Sequence, residues 1–168
     1  MKNNVESAYL RLYRWAYGKG RVTGILNELD VVSVILTAAI YAFALIFTGF
    51  SEWSIMTPLR LLLTTGIPFL IVSILRHVLN MPRPCRVFEL DFLPSKKQGE
   101  SFPSRHVFSA FSIGTALCFV IWPLGVLTLA LGVAIAMCRV CLGNHFLRDV
   151  IAGALIGVGC SLIGMLVL

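Results

Sequence analysis

The chain has 168 residues, of which 58% are hydrophobic and 13% charged, and its formal net charge at pH 7 is +6. Together with a mean hydropathy of +0.87, this composition excludes a soluble globular domain, which would have to expose much of its apolar surface to water. It predicts an all-α protein, a polytopic helix bundle surrounded by membrane lipids, with no nucleic acid among its partners. No secretory signal is predicted, because the first apolar run is long enough to span and lacks a cleavage pattern.

The first 28 residues mix basic and aromatic side chains ahead of any apolar run. The cations are Lys2, Arg11, Arg14, Lys19 and Arg21, and the rings among them are Tyr9, Tyr13, Trp15 and Tyr17. This mixture is typical of an amphipathic helix at the membrane surface, with rings at the headgroup level and cations beside anionic lipid. A solvated basic tail is the alternative. We therefore predict an interfacial segment over 1–28, followed by one transmembrane domain over 29–168.

Five apolar runs follow, each close to the roughly 20 residues that a spanning helix needs. They cover 29–50, 57–75, 106–122, 124–141 and 149–168. The first run opens with Glu28 and Asp30 and is interpreted as scaffold, because nothing polar inside it indicates transport. Pro68 predicts a kink in the second run, and Arg60 is expected to reach the nearer interface. We predict about five transmembrane helices joined by short connections.

Two arginines, Arg76 and Arg83, follow the second run. Pro84 stops any helix just beyond them, so the two guanidiniums can converge from a helix end and from the following turn. A positively charged loop without chemistry is the alternative. The polar connection over 85–103 is the longest, and we expect it to lie partly at the interface near a site. Its carboxylates alternate with lysines and no His stands at ligand spacing, so it predicts no metal site.

The third run begins with Ser104 and His106. The first turn of a helix has unpaired N–H groups and the positive end of the helix dipole, so this start suits an anion. The alternative for His106 is a solvated side chain at a helix start.

A polar break, CRVCLGNHFLRDVIAG at 138–153, separates the last two runs. It holds Arg139, His145 and Asp149, which are costly to place at the edge of hydrocarbon and therefore indicate function. His145 and Asp149 are four residues apart, so on one helical face the carboxylate can accept a hydrogen bond from one ring nitrogen and leave the other free to attack. Arg139 is placed to hold an anion beside His145.

With five spans, the connections after the second and fourth runs open on the same face of the membrane. The polar residues named above can then share one cavity, in which arginines, a hydroxyl and a helix start bind a phosphate. Two histidines would supply a nucleophile and an acid, and such a set needs no metal or other cofactor.

The five cysteines lie mostly in or beside apolar runs and are interpreted as buried small hydrophobes. Cys138 and Cys141 form a C-x-x-C, but no further Cys or His completes a ligand set.

The sequence resembles the type 2 phosphatidic acid phosphatases, membrane lipid phosphate phosphatases that share a site with the vanadate haloperoxidases. That family's pattern is Lys-x6-Arg-Pro, then Pro-Ser-Gly-His, then Ser-Arg-x5-His-x3-Asp. In this chain the three motifs are RHVLNMPRP at 76–84, PSRH at 103–106 and CRVCLGNHFLRD at 138–149. All three occur in order with the right internal spacing, and the resemblance covers residues 76–153 directly. The remaining runs look like that family's helical bundle with one helix fewer than the usual six.

The resemblance implies a role for each matching residue. His145 would be the nucleophile, Asp149 its partner and His106 the acid for the leaving group. The phosphate ligands would be Arg76, Arg83, Ser104, Arg105 and Arg139.

Three positions depart from the family pattern. Arg76 stands where the family has Lys, which keeps the charge but replaces a point donor by a planar fork. Arg105 stands where the family has Gly; its backbone N–H can still donate, and its side chain is expected to narrow the pocket or contact substrate. Cys138 stands where the family has Ser and lacks that donor.

The implied function is metal-independent hydrolysis of lipid phosphate monoesters or diphosphates through a phosphohistidine, on substrates of the phosphatidate, phosphatidylglycerophosphate or polyprenyl phosphate type. A phosphorylated sugar on a polyprenyl lipid is an open alternative. A second class is a protein that binds anionic headgroups without catalysis, but His145, Asp149 and His106 argue against it because binding needs no nucleophile. A haloperoxidase fits less well, since a lipid-facing site suits an amphiphilic phosphate, and a transporter would need polar residues across the bundle.

The charge distribution predicts the orientation of the site in the cell membrane. Of the 14 Lys and Arg, 13 lie on the face of the predicted site, and Arg60 alone lies toward the other. Setting aside the four arginines at the site still leaves nine against one. The positive-inside rule then places the site on the cytoplasmic face. Bacterial and animal members of the resembled family usually face outward, but they usually have a sixth, N-terminal span that this chain replaces with its basic aromatic segment.

Overall fold

The computed structural model of the chain describes residues 2–51, 55–88 and 99–168, with side chains at 6–50, 55–88 and 99–168. These residues form helices and no strand. In chain order the helices are α1 (Lys2–Gly18), α2 (Gly20–Ser51), α3 (Met56–Leu79), α4 (Pro84–Val87), α5 (Arg105–Cys118), α6 (Trp122–Cys141) and α7 (Leu147–Val167). The predicted all-α membrane bundle is confirmed. Residues 89–98 of the predicted interfacial connection lie outside the described part of the chain.

Four of the described helices, α2, α3, α6 and α7, are long and apolar enough to cross a bilayer. The predicted third span is shorter than expected, because α5 has 14 residues. That is about 21 Å of helix against a hydrocarbon core of about 30 Å. However, α5 packs on α6, α7 and α3, and eight of its residues are buried. A helix covered by protein need not match the thickness of the lipid, so α5 completes the set of five predicted crossing elements.

The bundle interior consists mainly of small and medium side chains, and most large apolar side chains point outward toward lipid. One buried cluster joins α2, α3, α5 and α7, and a second joins α5, α6 and α7. The first is Ala44, Leu61, Ala116, Leu117 and Met165; the second is Val107, Ala110, Ile135 and Val150. Membrane helices associate through this kind of close packing, since lipid gives no hydrophobic force between them. Helix α5 is the central helix of the bundle, because it contacts all four of α2, α3, α6 and α7.

Helix α7 approaches α5 closely at two glycines. A Cβ at Gly153 would lie 2.6 Å from the carbonyl oxygen of Ser104, and one at Gly157 would lie 2.6 Å from that of Phe108. A hydrogen bond adds a third contact between the two helices: the Ser104 N–H donates to the carbonyl of Asp149 over 2.9 Å. The glycines therefore hold the first turns of α5 and α7 side by side.

Helix α1 packs on one end of this bundle, against the connection between α6 and α7. The Tyr17 hydroxyl donates to the Leu142 carbonyl over 3.0 Å, and the Tyr9 hydroxyl accepts from the Leu147 N–H over 3.0 Å. Tyr13 between them is fully buried. The connection after α6 is thus braced by tyrosines from the other end of the sequence.

The outer face of α1 carries the basic residues. Arg11, Arg14 and Trp15 are exposed, as expected for the amphipathic helix predicted here. The helix ends at Gly18 and α2 begins at Gly20, so the predicted boundary between the interfacial segment and the membrane domain falls inside α2. That division into two units stays a prediction.

The opposite end of the bundle is tied by Arg60, near the start of α3. Its guanidinium, which was expected to reach the nearer interface, donates to the carbonyl of Met165 near the end of α7. Pro68 lies inside α3, which continues past it to Leu79.

Replacing Gly157 by Ala should destabilise the protein by about 1–3 kcal/mol, because the new methyl group overpacks the contact between α7 and α5. Gly159 lies on the same helix with no heavy atom within 4 Å of its virtual Cβ, so Gly159→Ala should be neutral or slightly stabilising. Thermal unfolding in detergent measures both. Equal midpoints for the two variants would contradict the close approach.

Candidate active site

Two buried arginines lie where α3 ends and the chain turns into α4. Arg76 is 5% exposed and Arg83 is 7% exposed. Arg76 Nη1 donates to the Pro103 carbonyl over 3.4 Å, and Arg83 Nε donates to the Gly99 carbonyl over 3.0 Å. These acceptors are neutral, so the contacts orient the guanidiniums without cancelling their charge. The two arginines lie near each other as the sequence predicts, since Arg83 acts on Arg76 as a like charge.

The backbone around these arginines explains their positions. Asn80 adopts the left-handed conformation (φ 39°) that ends α3, and its side-chain oxygen accepts from the Glu100 N–H over 3.2 Å. The Ser101 N–H donates to the Met81 carbonyl over 2.9 Å. Pro84 occupies the first turn of α4, where its missing N–H costs no hydrogen bond. The segment entering α5 is thereby held beside the end of α3.

The start of α5 presents donors to the same region. Ser104 precedes the first turn and is fully buried, and within the described part of the chain its hydroxyl has no hydrogen-bond partner. The hydroxyl is therefore available to an anion, together with the helix N-terminus. His106 lies in the first turn, and the guanidiniums of Arg139, Arg105 and Arg76 all act on it as charges.

Arg105 takes a lateral position. Its guanidinium lies over the Phe69 ring, 5.7 Å from the centroid, a favourable cation–π geometry. Arg105 still acts on Arg76 as a like charge, so it contributes to the positive field of the site from the side of α3.

Arg139, in the last turn of α6, is held by a carboxylate that the sequence interpretation overlooked. Its Nε lies 3.0 Å from Asp30 Oδ1 on α2, and both side chains are largely buried. Asp30 leaves the other nitrogens of the guanidinium fork to other partners. The first apolar run is therefore more than scaffold, because it orients a predicted phosphate ligand.

His145 lies in the connection between α6 and α7, ahead of the helix in which its spacing to Asp149 had placed it. The imidazole is 1% exposed, and Nδ1 lies 2.7 Å from the Ser101 carbonyl oxygen. A carbonyl only accepts, so Nδ1 carries the proton and Nε2 keeps its lone pair. A backbone contact thus fixes the tautomer of the predicted nucleophile.

The predicted direct hydrogen bond between His145 and Asp149 is wrong. His145 Nδ1 and Asp149 Oδ2 are 3.8 Å apart. The carboxylate caps α7 instead: Oδ2 accepts from the Phe146 N–H over 3.0 Å and from the Ser101 hydroxyl over 2.6 Å. Both short contacts draw Oδ2 away from the ring, which has its own acceptor in the Ser101 carbonyl.

The environment keeps the imidazole of His145 in its neutral form. Burial lowers the pKa of the imidazole, and the positive charges of Arg83 and Arg76 lower it further, whereas the Asp149 carboxylate acts in the opposite direction. Because the pKa lies below its usual value, the imidazole remains unprotonated at neutral pH.

Three contributors were missed at the level of sequence: Asp30, Ser101 and Tyr9. An isolated carboxylate at the start of an apolar run was a usable signal for Asp30, since such groups are rare in membrane segments without a partner. Ser101 and Tyr9 gave no such signal, because a serine in a loop and a tyrosine on an amphipathic helix are common. Their roles depend on contacts distant in sequence.

The assembled site is a group of buried hydrogen-bond donors, Arg76, Arg83 and Ser104, beside a neutral imidazole. Within the described residues no group of three or more His, Cys, Asp or Glu is placed to hold a metal ion. The five cysteines are free thiols; Cys138 is buried as predicted, whereas Cys85, Cys118, Cys141 and Cys160 are only partly buried. Guanidiniums, a hydroxyl and a helix start can hold a phosphoryl group while Nε2 of His145 approaches it.

Comparison with known proteins identifies a matching family and two solved structures with a similar fold. The sequence profile of the PAP2 superfamily matches residues 57–168. LpxE of Aquifex aeolicus superposes with a TM-score of 0.67 at 23% identity, covering 92% of this chain and 93% of that one. A PAP2-type phosphatidylglycerolphosphate phosphatase of Bacillus subtilis superposes with a TM-score of 0.70 at 21% identity, covering 96% of this chain and 85% of that one. No curated protein sequence matches significantly. At these identities the two structures show the shared fold alone.

Replacing Arg83 by Gln should weaken binding of orthovanadate at least tenfold, because a charge-assisted contact contributes about 1.5–3 kcal/mol and about 1.4 kcal/mol is a factor of ten. Arg86, three residues on and exposed, is the matched control: Arg86→Gln should change the affinity by less than about twofold. Isothermal titration of the purified protein in detergent measures both. Equal losses would mean that the arginines act as a diffuse field and not as ligands.

Proposed function

Because the chain belongs to the PAP2 superfamily, we propose that it is a metal-independent membrane phosphatase that hydrolyses lipid phosphate monoesters or diphosphates. The observation that carries this proposal is the state of His145. Its Nδ1 is bonded to the Ser101 carbonyl, so its Nε2 is free, and Arg76 and Arg83 are close enough to act on the ring as charges. An activated nucleophile beside paired guanidiniums is what phosphoryl transfer requires.

In the proposed first step, the Nε2 lone pair of His145 attacks phosphorus, and the bond from phosphorus to the leaving oxygen breaks. Arg76, Arg83 and Arg139 neutralise the other phosphoryl oxygens as charge spreads over them. The product is a phosphohistidine whose ring carries positive charge. The Asp149 carboxylate, 3.8 Å from Nδ1, stabilises that charge without a direct hydrogen bond.

His106 is proposed as the acid that protonates the leaving oxygen. The arginines around it disfavour a second proton on the ring, so we infer that His106 becomes a proton donor only when a bound phosphate neutralises them. In the second step, neutral His106 takes a proton from water, the water oxygen attacks phosphorus, and the bond from phosphorus to Nε2 breaks. Inorganic phosphate leaves and His145 is restored.

A lipid is the proposed substrate because an apolar groove lies between α3 and α5, beside the Arg105 side chain. Phe69, which contacts Arg105, is also part of the groove wall. Residues from α3 and α5 continue that wall, among them Leu62, Gly66, Phe108 and Ile113. A phosphate at the arginines would place its hydrocarbon chain along this wall, in contact with the bilayer.

The Bacillus subtilis structure, described as a phosphatidylglycerolphosphate phosphatase, supports a glycerolipid phosphate as the first substrate to test. Phosphatidate and polyprenyl phosphates share the same combination of terminal phosphate and apolar chain. They belong to the same proposed substrate class.

We also propose that the site faces the cytoplasm. Helix α1 packs at the site end through Tyr9 and Tyr17, which puts its exposed cations Arg11 and Arg14 on that side. Together with the positive-inside rule, this packing supports a cytoplasmic site that works on lipid phosphates of the inner leaflet.

Replacing His145 by Ala should reduce phosphate release by about a thousandfold or more, because the nucleophile is lost. Asp149→Asn should retain weak turnover, since Nε2 is still present. The matched control is His77→Ala, because His77 lies at the exposed end of α3 with a side-chain exposure of 83%. Purified protein would be tested with EDTA on a panel of phosphatidate, phosphatidylglycerophosphate and polyprenyl phosphates. Full activity of folded His145→Ala, or a requirement for magnesium, would refute the mechanism.

Single-cysteine labelling should show the orientation. In a background without the native cysteines, an impermeant maleimide should label Ile55→Cys in intact cells, whereas Lys19→Cys should react only after permeabilisation. Both positions are exposed, and they lie at opposite ends of the bundle. The reverse pattern would place the site outside the cytoplasm.

A further inference from the structure

Ser101 makes three short polar contacts in the site, although no catalytic motif includes it. The residue is 1% exposed. Its N–H donates to the Met81 carbonyl over 2.9 Å, and its carbonyl accepts from His145 Nδ1 over 2.7 Å. Its hydroxyl donates to Asp149 Oδ2 over 2.6 Å. Ser101 therefore connects the nucleophile to its carboxylate while being anchored to the segment after α3.

We propose that Ser101 is the positioning residue through which Asp149 acts on His145, an inference that rests on the proposed function. The carbonyl of Ser101 selects the imidazole tautomer, and its hydroxyl holds the carboxylate at 3.8 Å from Nδ1. One residue thus sets both the orientation of the ring and the distance of the balancing charge.

The hydroxyl limits how strongly the carboxylate attracts a proton onto the ring. A hydrogen bond to a carboxylate disperses its charge, so Asp149 Oδ2 is a weaker acceptor while Ser101 donates to it. Without that donor, the Phe146 N–H would still hold Oδ2, but the carboxylate would attract the imidazolium more strongly. Ser101 thereby keeps His145 neutral before attack while leaving Asp149 near enough to stabilise the phosphorylated ring.

Charged groups from each neighbouring element face His145, and only Ser101 changes in the test below. Asp149 faces it from α7, Arg76 from α3 and Arg83 from the turn before α4. His106 faces it from the first turn of α5. Because these four groups are the same in the variant, a change in the titration midpoint of His145 reports the loss of the Ser101 hydroxyl.

The first measurement is the titration of His145 by NMR in protein labelled with ¹⁵N-histidine. The chain has three histidines, and the His145 signal is assigned by its loss in His145→Gln. We expect Ser101→Ala to raise the titration midpoint of His145. Ser101→Thr keeps the hydroxyl and should leave the midpoint at the wild-type value. Ser73→Ala, which removes a hydroxyl bonded within α3, should do the same. An unchanged midpoint in folded Ser101→Ala overturns the proposal.

The second measurement is the pH profile of lipid phosphate hydrolysis. A higher midpoint means that more His145 is protonated at low pH, so kcat/KM of Ser101→Ala should fall about tenfold at the acid end. At the alkaline end it should stay within about twofold, with KM nearly unchanged. A uniform loss at all pH values would indicate a merely structural role and overturn the proposal.

A double-variant cycle tests the route through the carboxylate. In an Asp149→Asn background, Ser101→Ala should no longer shift the His145 midpoint, because the neutral Asn side chain has no negative charge to attract the imidazolium. A shift of the same size in that background overturns the proposal. If Ser101→Ala does not fold, Ser101→Cys, a weaker donor of similar volume, should shift the midpoint in the same direction, and no shift then counts against it.

The NMR arm separates this inference from the proposed function. A raised midpoint in a protein that releases no phosphate from any lipid tested would support the role of Ser101 and refute the phosphatase. Normal hydrolysis with an unchanged midpoint would support the phosphatase and refute the role of Ser101.

Discussion

Mutual repulsion among the arginines is the constraint on which this structure depends. Arg83, Arg105 and Arg139 all act on Arg76 as like charges, and apolar surroundings strengthen such repulsion. These arginines lie on α3, before α4, on α5 and on α6, so the packing of the whole bundle holds the charges together. Asp30 offsets part of the repulsion at Arg139. In the proposed reaction, a phosphoryl group among these cations would relieve the remainder, and the relief would grow as charge spreads over the phosphoryl oxygens during transfer.

The bundle meets this constraint by controlling the contact between α5 and α7. Gly153 and Gly157 let the two helices approach, and the Ser104 N–H reaches the Asp149 carbonyl over 2.9 Å. That contact sets the Ser104 hydroxyl, which has no partner among the described residues, beside the start of α7. The proposed anion donors at the start of α5 are thus placed by helix packing, which is more rigid than a loop acting alone.

The sequence predicted the helical membrane bundle well because hydropathy over long runs leaves few alternatives. It also indicated the residues that gather at one end. The sequence did not predict side-chain positions that depend on where a helix begins. The four-residue spacing of His145 and Asp149 suggested a shared helical face, but Phe146 ends the irregular connection and α7 begins after it. The length of α5 was overestimated for a related reason, since apolar composition does not show which helix is enclosed by others. Asp30 was visible as a charge, but its partner lies 109 residues away.

The bracing of the α6–α7 connection by α1 bears on what counts as the working unit of this protein. The region that matches the superfamily profile begins at residue 57, whereas Tyr9 and Tyr17 contact the chain on either side of His145. The part of the chain that matches the superfamily is therefore shorter than the part that supports the connection carrying His145. A fragment cut at the homology boundary keeps every motif residue and loses two hydrogen bonds that hold the nucleophile's connection in place. Transplanting this site into another membrane scaffold would accordingly require a substitute for those tyrosines as well as the motifs.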